Sequence, residues 1–167
     1  MNLYILRHGI AADNAPGPGG DSARPLTSEG EDKLWRITKA MAALELSFDL
    51  ILSSPYLRAR QTAEIVAKAF GAEKRMKLCD ALAPNGSAKD LVEEIHHRKP
   101  PAESVLLVGH EPYLSELISL LVSGETGVLV VLKKGGFCKL TVASLKAGRC
   151  ADLEWLLTPK QMDLMAS

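Results

Sequence analysis

The sequence predicts an α/β protein, a three-layer α/β/α sandwich built on a mostly parallel central sheet with an antiparallel edge strand. Three observations carry this. Short apolar runs with no polar alternation read as strands buried on both faces, as in a parallel sheet covered by helices. Amphipathic stretches with apolar residues three and four apart separate them. No linker-like break interrupts the 167 residues, so one domain over 1–167 is expected.

The elements follow in order. Leu3–Leu6 is a short apolar strand that runs into Arg7-His8-Gly9. Asp13–Pro25 packs three glycines and three prolines into thirteen residues, which argues against a regular element. A loop that long in a compact domain is functional or mobile. Leu26–Glu45 reads as a helix with Leu34, Ile37, Met41 and Leu44 on one face; Ser28 and Glu31 have capping-box spacing, with Thr27 as a competing cap. Asp49–Ser54 is a second strand, stopped by Pro55, and Tyr56–Phe70 a second helix ended by Gly71. Ser87 caps a third helix, to His97. Val105–His110 is a third strand, and Glu111-Pro112 opens a fourth helix that runs to Val122. Val128–Leu132 and Phe137–Val142 read as strands flanking Lys133-Lys134-Gly135-Gly136, and Asp152–Leu157 as an edge strand.

Charge and composition narrow the function classes. Twenty Lys plus Arg balance twenty Asp plus Glu, so nothing global attracts nucleic acid or an anionic membrane; any anion binding must come from a local cluster. No apolar run approaches a membrane span, and Arg7 interrupts the N-terminal run too early for a signal peptide. Cys79, Cys138 and Cys150 are too few and too scattered for a zinc site or a disulfide framework, and read as reduced thiols of a cytoplasmic protein.

Ligands of such sheets sit beyond the carboxyl ends of the strands. There the sequence places Arg7-His8-Gly9, then Ser53-Ser54-Pro55 with Arg58 close behind, then Gly109-His110-Glu111. Imidazole can act as nucleophile, acid or base near neutral pH, and a planar guanidinium grips two phosphate oxygens at once. Gly9 would let a ligand approach. Arg58 and Arg60 point about 200° apart around a helix, so only one faces the sheet edge. Arg60, Arg98 and Arg149 read as surface partners of carboxylates, and His96 and His97 as cations at a helix end. No carboxylate or cysteine completes a familiar metal-ligand set around the histidines, so neither metal nor cofactor is expected.

The segments LYILRHG, SSPYLRARQTAEIV and VLLVGHEPYLSELI, in this order and each after a strand, resemble the three signature segments of the histidine phosphatase superfamily, whose fold is phosphoglycerate mutase-like. RPLTSEGEDKL and EWLLTPKQM look like the bacterial phosphohistidine phosphatases of the SixA type. The resemblance implies that His8 is a nucleophile that takes the phosphoryl group as phosphohistidine and passes it to water. Its other ring nitrogen should donate to a backbone carbonyl. Arg7, Arg58 and His110 match the phosphate pocket, stabilising a loose transition state by position and charge. Larger relatives protonate the leaving group with a carboxylate. Glu111 holds one of the family's two positions for it, but a glutamate at a helix start is equally a partner of the helix dipole. Asp80 is a looser candidate.

A pocket poor in acids suits an N–P bond, because imidazole leaves more readily than an alkoxide. The chain has few residues to spare for a lid, and only Asp13–Pro25 is placed to cover the site. Arg24, at the end of that loop, reads equally as a substrate contact and as a surface arginine. The expected activity is therefore hydrolysis of phosphohistidine on a protein, such as a phosphorelay or phosphotransfer domain, by a monomer. A small-molecule phosphomonoesterase with the same covalent step is the alternative. A non-catalytic phosphoprotein-binding module has little use for a nucleophile, and a mutase favours a closed site that excludes water.

Overall fold

A computed structural model describes residues 1–167. Six strands, β1 (Asn2–Arg7), β2 (Leu50–Ser53), β3 (Met76–Leu78), β4 (Ser104–Gly109), β5 (Phe137–Val142) and β6 (Ala151–Leu157), form one sheet in the order β3-β2-β4-β1-β5-β6. The pairs β2–β3, β2–β4 and β1–β4 are parallel; β1–β5 and β5–β6 are antiparallel. The five helices are α1 (Ser28–Ala43), α2 (Leu57–Ala69), α3 (Ala88–His96), α4 (Tyr113–Ser123) and α5 (Pro159–Met165). This is the expected mixed α/β architecture. No helix is long and apolar enough to cross a membrane.

The side-chain alternation of a strand divides the core in two. Leu3, Ile5, Leu50, Leu52, Val105 and Leu107 face α3 and α4, where Leu91, Ile95, Leu114 and Leu117 meet them. Tyr4, Leu6, Ile51, Leu106 and Val108 face the other way, onto Leu34, Ile37 and Met41 of α1, Ala59, Ala63 and Val66 of α2, and Met162 of α5. Burying one such aliphatic side chain contributes roughly 1.5–3 kcal/mol. Apolar residues on both faces explain why β1, β2 and β4 read as unbroken apolar runs. Cys79 and Cys138 are buried, Cys150 is half-buried, and none is bridged.

Five expectations require correction. Val128–Leu132 is not a strand: both neighbouring positions on β1 are filled, by β4 and β5, and the segment runs outside the sheet. The Val128 N–H instead donates to Ser119 Oγ (3.0 Å), and Val128, Leu129 and Val131 are exposed while Leu132 alone is buried. The sixth strand is Met76–Leu78, three residues with only partial burial, too short to show a period. The cap of α1 is Thr27, whose Oγ1 accepts from Gly30 N–H (3.0 Å), and Ser28 is the first helical residue. The Asp13–Pro25 loop does hold one regular turn, a 3-10 helix over Gly20–Ala23. The reading of helices stopped too early: α5 begins with a capping box, Thr158 with Gln161, and a proline at its first position.

Two sets of substitutions test this division of the apolar residues. Ile5→Ala, at a fully buried strand position, is expected to cost about 2–5 kcal/mol in urea unfolding. Leu129→Ser and Val131→Ser, outside the sheet, are expected to change stability by less than about 0.5 kcal/mol.

Candidate active site

Strand register brings the basic residues together. Arg7 pairs with Gly109 across β1 and β4, and the His8 N–H donates to the Gly109 carbonyl (3.1 Å). The Ser54 N–H donates to the Val108 carbonyl (2.9 Å), which carries the end of β2 alongside. His8 and His110 therefore face each other at the carboxyl edge, with ring centroids 5.1 Å apart. Arg58, in the first turn of α2, reaches the same point. His8, Arg58 and His110 retain only 5 %, 4 % and 2 % of their exposure. Arg60, two residues on, pairs with Glu64 in solvent, as the helical angle requires.

Hydrogen bonds fix the His8 ring. Nδ1 lies 2.7 Å from the Gly9 carbonyl, an acceptor only, so Nδ1 carries the proton. Nε2 then holds a lone pair, and the Arg58 Nε–H points to it at 3.3 Å. Burial pushes the His8 pKa down to about 3, helped by the positive charges of Arg58 and Arg7 and opposed by the Gly9 bond. The ring is neutral at physiological pH, and its Nε2 lone pair faces the Arg58 N–H.

His110 is oriented by a short relay. The Tyr56 N–H donates to Ser54 Oγ (3.2 Å), and Ser54 Oγ lies 2.7 Å from His110 Nε2. With the hydroxyl donating onward, a neutral His110 carries its proton on Nδ1, which is buried and has no partner in the protein. Burial, followed by Arg58, pushes its pKa down to about 4. The Arg7 Nε is likewise buried without a partner, while its Nη1 donates to the Leu132 carbonyl (2.9 Å). A buried donor left unpaired is costly; an oxyanion that reached Arg7 Nε and His110 Nδ1 would satisfy both. The Val128–Leu132 segment thus serves Arg7 rather than the sheet. The turn that follows is bound to the same strand end: the Gly135 N–H, at φ 76° where glycine is favoured, donates to the Arg7 and His8 carbonyls (both 3.1 Å).

Asp21 is the residue that the sequence reading missed. Its carboxylate accepts from Arg58 Nη2 (3.0 Å) and its carbonyl from Arg58 Nη1 (2.7 Å). Arg24 donates to the other carboxylate oxygen (2.8 Å) and to the Ala12 carbonyl (2.9 Å), so it clamps the loop. Burial pushes the Asp21 pKa up, but the bonds and charges of Arg24 and Arg58 together outweigh it and leave the pKa below the ordinary carboxylate value. The Asp13–Pro25 loop is therefore anchored over the site through an Arg24–Asp21–Arg58–His8 chain.

The remaining candidates differ. Glu111 accepts from the Ser115 N–H (2.9 Å) with one oxygen and from the Ser115 hydroxyl with the other, which ties it to the first turn of α4 while its charge still acts on Arg7. Asp80 lines a cleft with Asp90 and Glu94 that includes none of Arg7, His8, Arg58 and His110. The space that Gly9 creates belongs to α1 and not to a ligand: a Cβ there would lie 2.8 Å from Leu34 Cδ1. The Gly9 N–H is held by Thr62 Oγ1 (3.1 Å), which donates to the Arg58 carbonyl (2.7 Å) and ties α2 to β1. His97 bonds the Glu93 carbonyl on its own helix (2.8 Å). No three His, Cys, Asp or Glu side chains gather as a metal-ligand group. Ser54 and Thr62 lie in the SSPYLRARQTAEIV segment, where hydroxyls carry no spacing signal.

A mixed α/β sheet with two buried histidines and two arginines at its carboxyl edge defines a site suited to an oxyanion. The chain belongs to the histidine phosphatase superfamily: the model of its branch 1 matches residues 3–83. The phosphohistidine phosphatase SixA of Escherichia coli K12 is 31% identical over 127 residues, 75% of this chain and 77% of that protein. An uncharacterised protein of Picosynechococcus sp. is 39% identical over 164 residues, 96% of this chain and 98% of its own. The structure of the protein histidine phosphatase SixA complexed with tungstate superposes with a TM-score of 0.81 at 27% identity, covering 96% of this chain and 98% of that one.

The buried histidines make stability depend on pH. Both take up a proton near pH 6.5 in the unfolded chain but only near pH 3 to 4 when folded. Between those limits the unfolded state binds more protons, so stability rises with pH and is lost on acidification. The urea midpoint is expected to fall from about pH 7 to about pH 4.5, with a shallower fall in a His8→Gln/His110→Gln variant. Asp21 holds negative charge where an oxyanion would sit. Asp21→Asn is expected to tighten orthophosphate binding several-fold by calorimetry; weaker binding would show that the carboxylate mainly positions Arg58.

Proposed function

We propose that the protein hydrolyses phosphohistidine on a phosphorylated protein, through a covalent phosphohistidine at His8. The observation that carries this is the tautomer fixed by the Gly9 carbonyl, which leaves a neutral Nε2 lone pair under the Arg58 guanidinium. In the first step Nε2 attacks phosphorus. The bond from phosphorus to the substrate imidazole breaks, its electron pair stays with that nitrogen, and the released imidazole takes up a proton. Water then attacks the phosphoryl group on His8, loses a proton, and releases orthophosphate and free Nε2. Arg7, Arg58 and the His110 Nδ1–H stabilise the equatorial oxygens in both steps, which supplies positive charge without a metal.

Substrate preference follows from the proton inventory. Glu111 is bonded to the Ser115 N–H and hydroxyl of α4, and Asp80 lines another cleft. The carboxylate at the site, Asp21, is held below the ordinary carboxylate pKa by Arg24 and Arg58, so the site is short of protonated acids for an alkoxide, which matters little to an imidazole leaving group. Two likenesses support the reading: the E. coli relative is named a phosphohistidine phosphatase, and a SixA structure holds tungstate, a tetrahedral oxyanion. The two half-cores share one sheet, which supports a single domain. The proposed setting is the cytoplasm, where the unbridged cysteines are at home.

Turnover of a phosphohistidine-bearing protein is expected to vanish in His8→Ala. In Arg58→Ala, kcat/KM should fall by about 10²–10³. Glu111→Gln is expected to keep most of the activity. Faster hydrolysis of sugar phosphates than of phosphohistidine would instead make the protein a phosphomonoesterase.

A further inference from the structure

A second basic feature adjoins the phosphate pocket. Arg7 also lines a cleft together with Lys33 of α1, Lys133 and Lys134 of the turn before β5, and Lys160 of α5. No acidic residue lines it. None of the four lysines has a carboxylate within 4 Å, whereas Arg24, Arg36, Arg58, Arg60 and Arg98 all do. Lys133, Lys134 and Lys160 are exposed and Lys33 half-buried. In a chain of zero net charge this is a concentrated local excess. The other cleft rich in basic residues, at the amino ends of β2 and β4, contains Asp49 and Glu103 and is compensated.

Position adds to charge. The turn bearing Lys133 and Lys134 is bonded through Gly135 to the Arg7 and His8 carbonyls, so the cleft is built onto the strand end that carries the nucleophile. A phosphorylated side chain that reaches His8 places the rest of its polypeptide next to it. Four clustered ammonium groups repel one another, and an acidic partner relieves this; lysines on flexible stems suit a charged surface better than one fixed anion. The cleft includes no aromatic residue for bases to stack on, which disfavours a single-stranded nucleic acid.

We propose that this cleft docks an acidic segment of the phosphoprotein substrate beside its phosphohistidine. The inference rests on the phosphohistidine phosphatase reading and names the charge of the substrate that the site selects. Complementary charge of this kind raises the encounter rate and weakens with salt.

The test compares wild type with a Lys133→Ala/Lys134→Ala/Lys160→Ala variant on phosphohistidine peptides flanked by acidic or by neutral residues, and on free phosphohistidine. The expected result is a fall of about tenfold in kcat/KM for the acidic peptide alone, carried by KM and erased at about 0.5 M salt. Equal activity of both proteins on the acidic peptide, or equal losses on all three substrates, overturns the proposal. Fluorescence anisotropy with the unphosphorylated acidic peptide separates the two readings, because it needs no turnover. Binding by wild type that the variant loses supports the docking cleft even if no phosphohistidine compound is hydrolysed, a result that would refute only the activity. Absence of binding difference overturns the cleft whatever the activity.

Discussion

Four basic side chains share the carboxyl edge of one buried sheet, and the Asp21 carboxylate is their single ion-pair partner. Much of the local structure answers this constraint. Burial and mutual repulsion hold His8 and His110 neutral, which is the form needed for a nucleophile and for a directed donor. Arg58 divides its N–H groups between the His8 lone pair and both acceptors of Asp21. The cost of the remaining unpaired donors, Arg7 Nε and His110 Nδ1, is a stored demand for an oxyanion.

The sheet supplies the precision. Parallel pairing of β1 with β4 and of β4 with β2 sets three strand ends level, so that His8, His110 and Ser54 are placed by backbone bonds rather than by flexible loops. The surrounding supports are short: Gly9 to Thr62 to the Arg58 carbonyl, Tyr56 to Ser54 to His110, and Leu132 to Arg7. Each ties a reactive side chain to a different element, which couples the stability of the fold to the geometry of the site.

Legibility followed physical scale. Most elements could be read: β1, β2, β4, β5, the edge strand β6 and four of the helices, and with them Arg7, His8, Arg58 and His110 just past strand ends. Val128–Leu132 has strand composition, yet both positions beside β1 are filled by β4 and β5, and pairing is a tertiary fact that composition does not carry. Asp21 sits in a Gly/Pro-rich loop with no local pattern, and its role depends on Arg58, thirty-seven residues away in sequence. Gly9 was visible, but the direction of its missing Cβ was not, and that direction assigns it to packing against Leu34. The lysine cleft joins residues from α1, the turn before β5 and α5, which no window of sequence brings together.

The most direct measurement of the proposed mechanism is a rapid quench of the protein during turnover of a phosphohistidine-bearing protein with a radiolabelled phosphoryl group, followed by peptide mapping. Acid-labile label on the peptide that contains His8, appearing before free phosphate and absent from His8→Ala, is the expected result. Release of labelled phosphate with no label on the enzyme, or label carried by another residue, would contradict a phosphohistidine intermediate at His8.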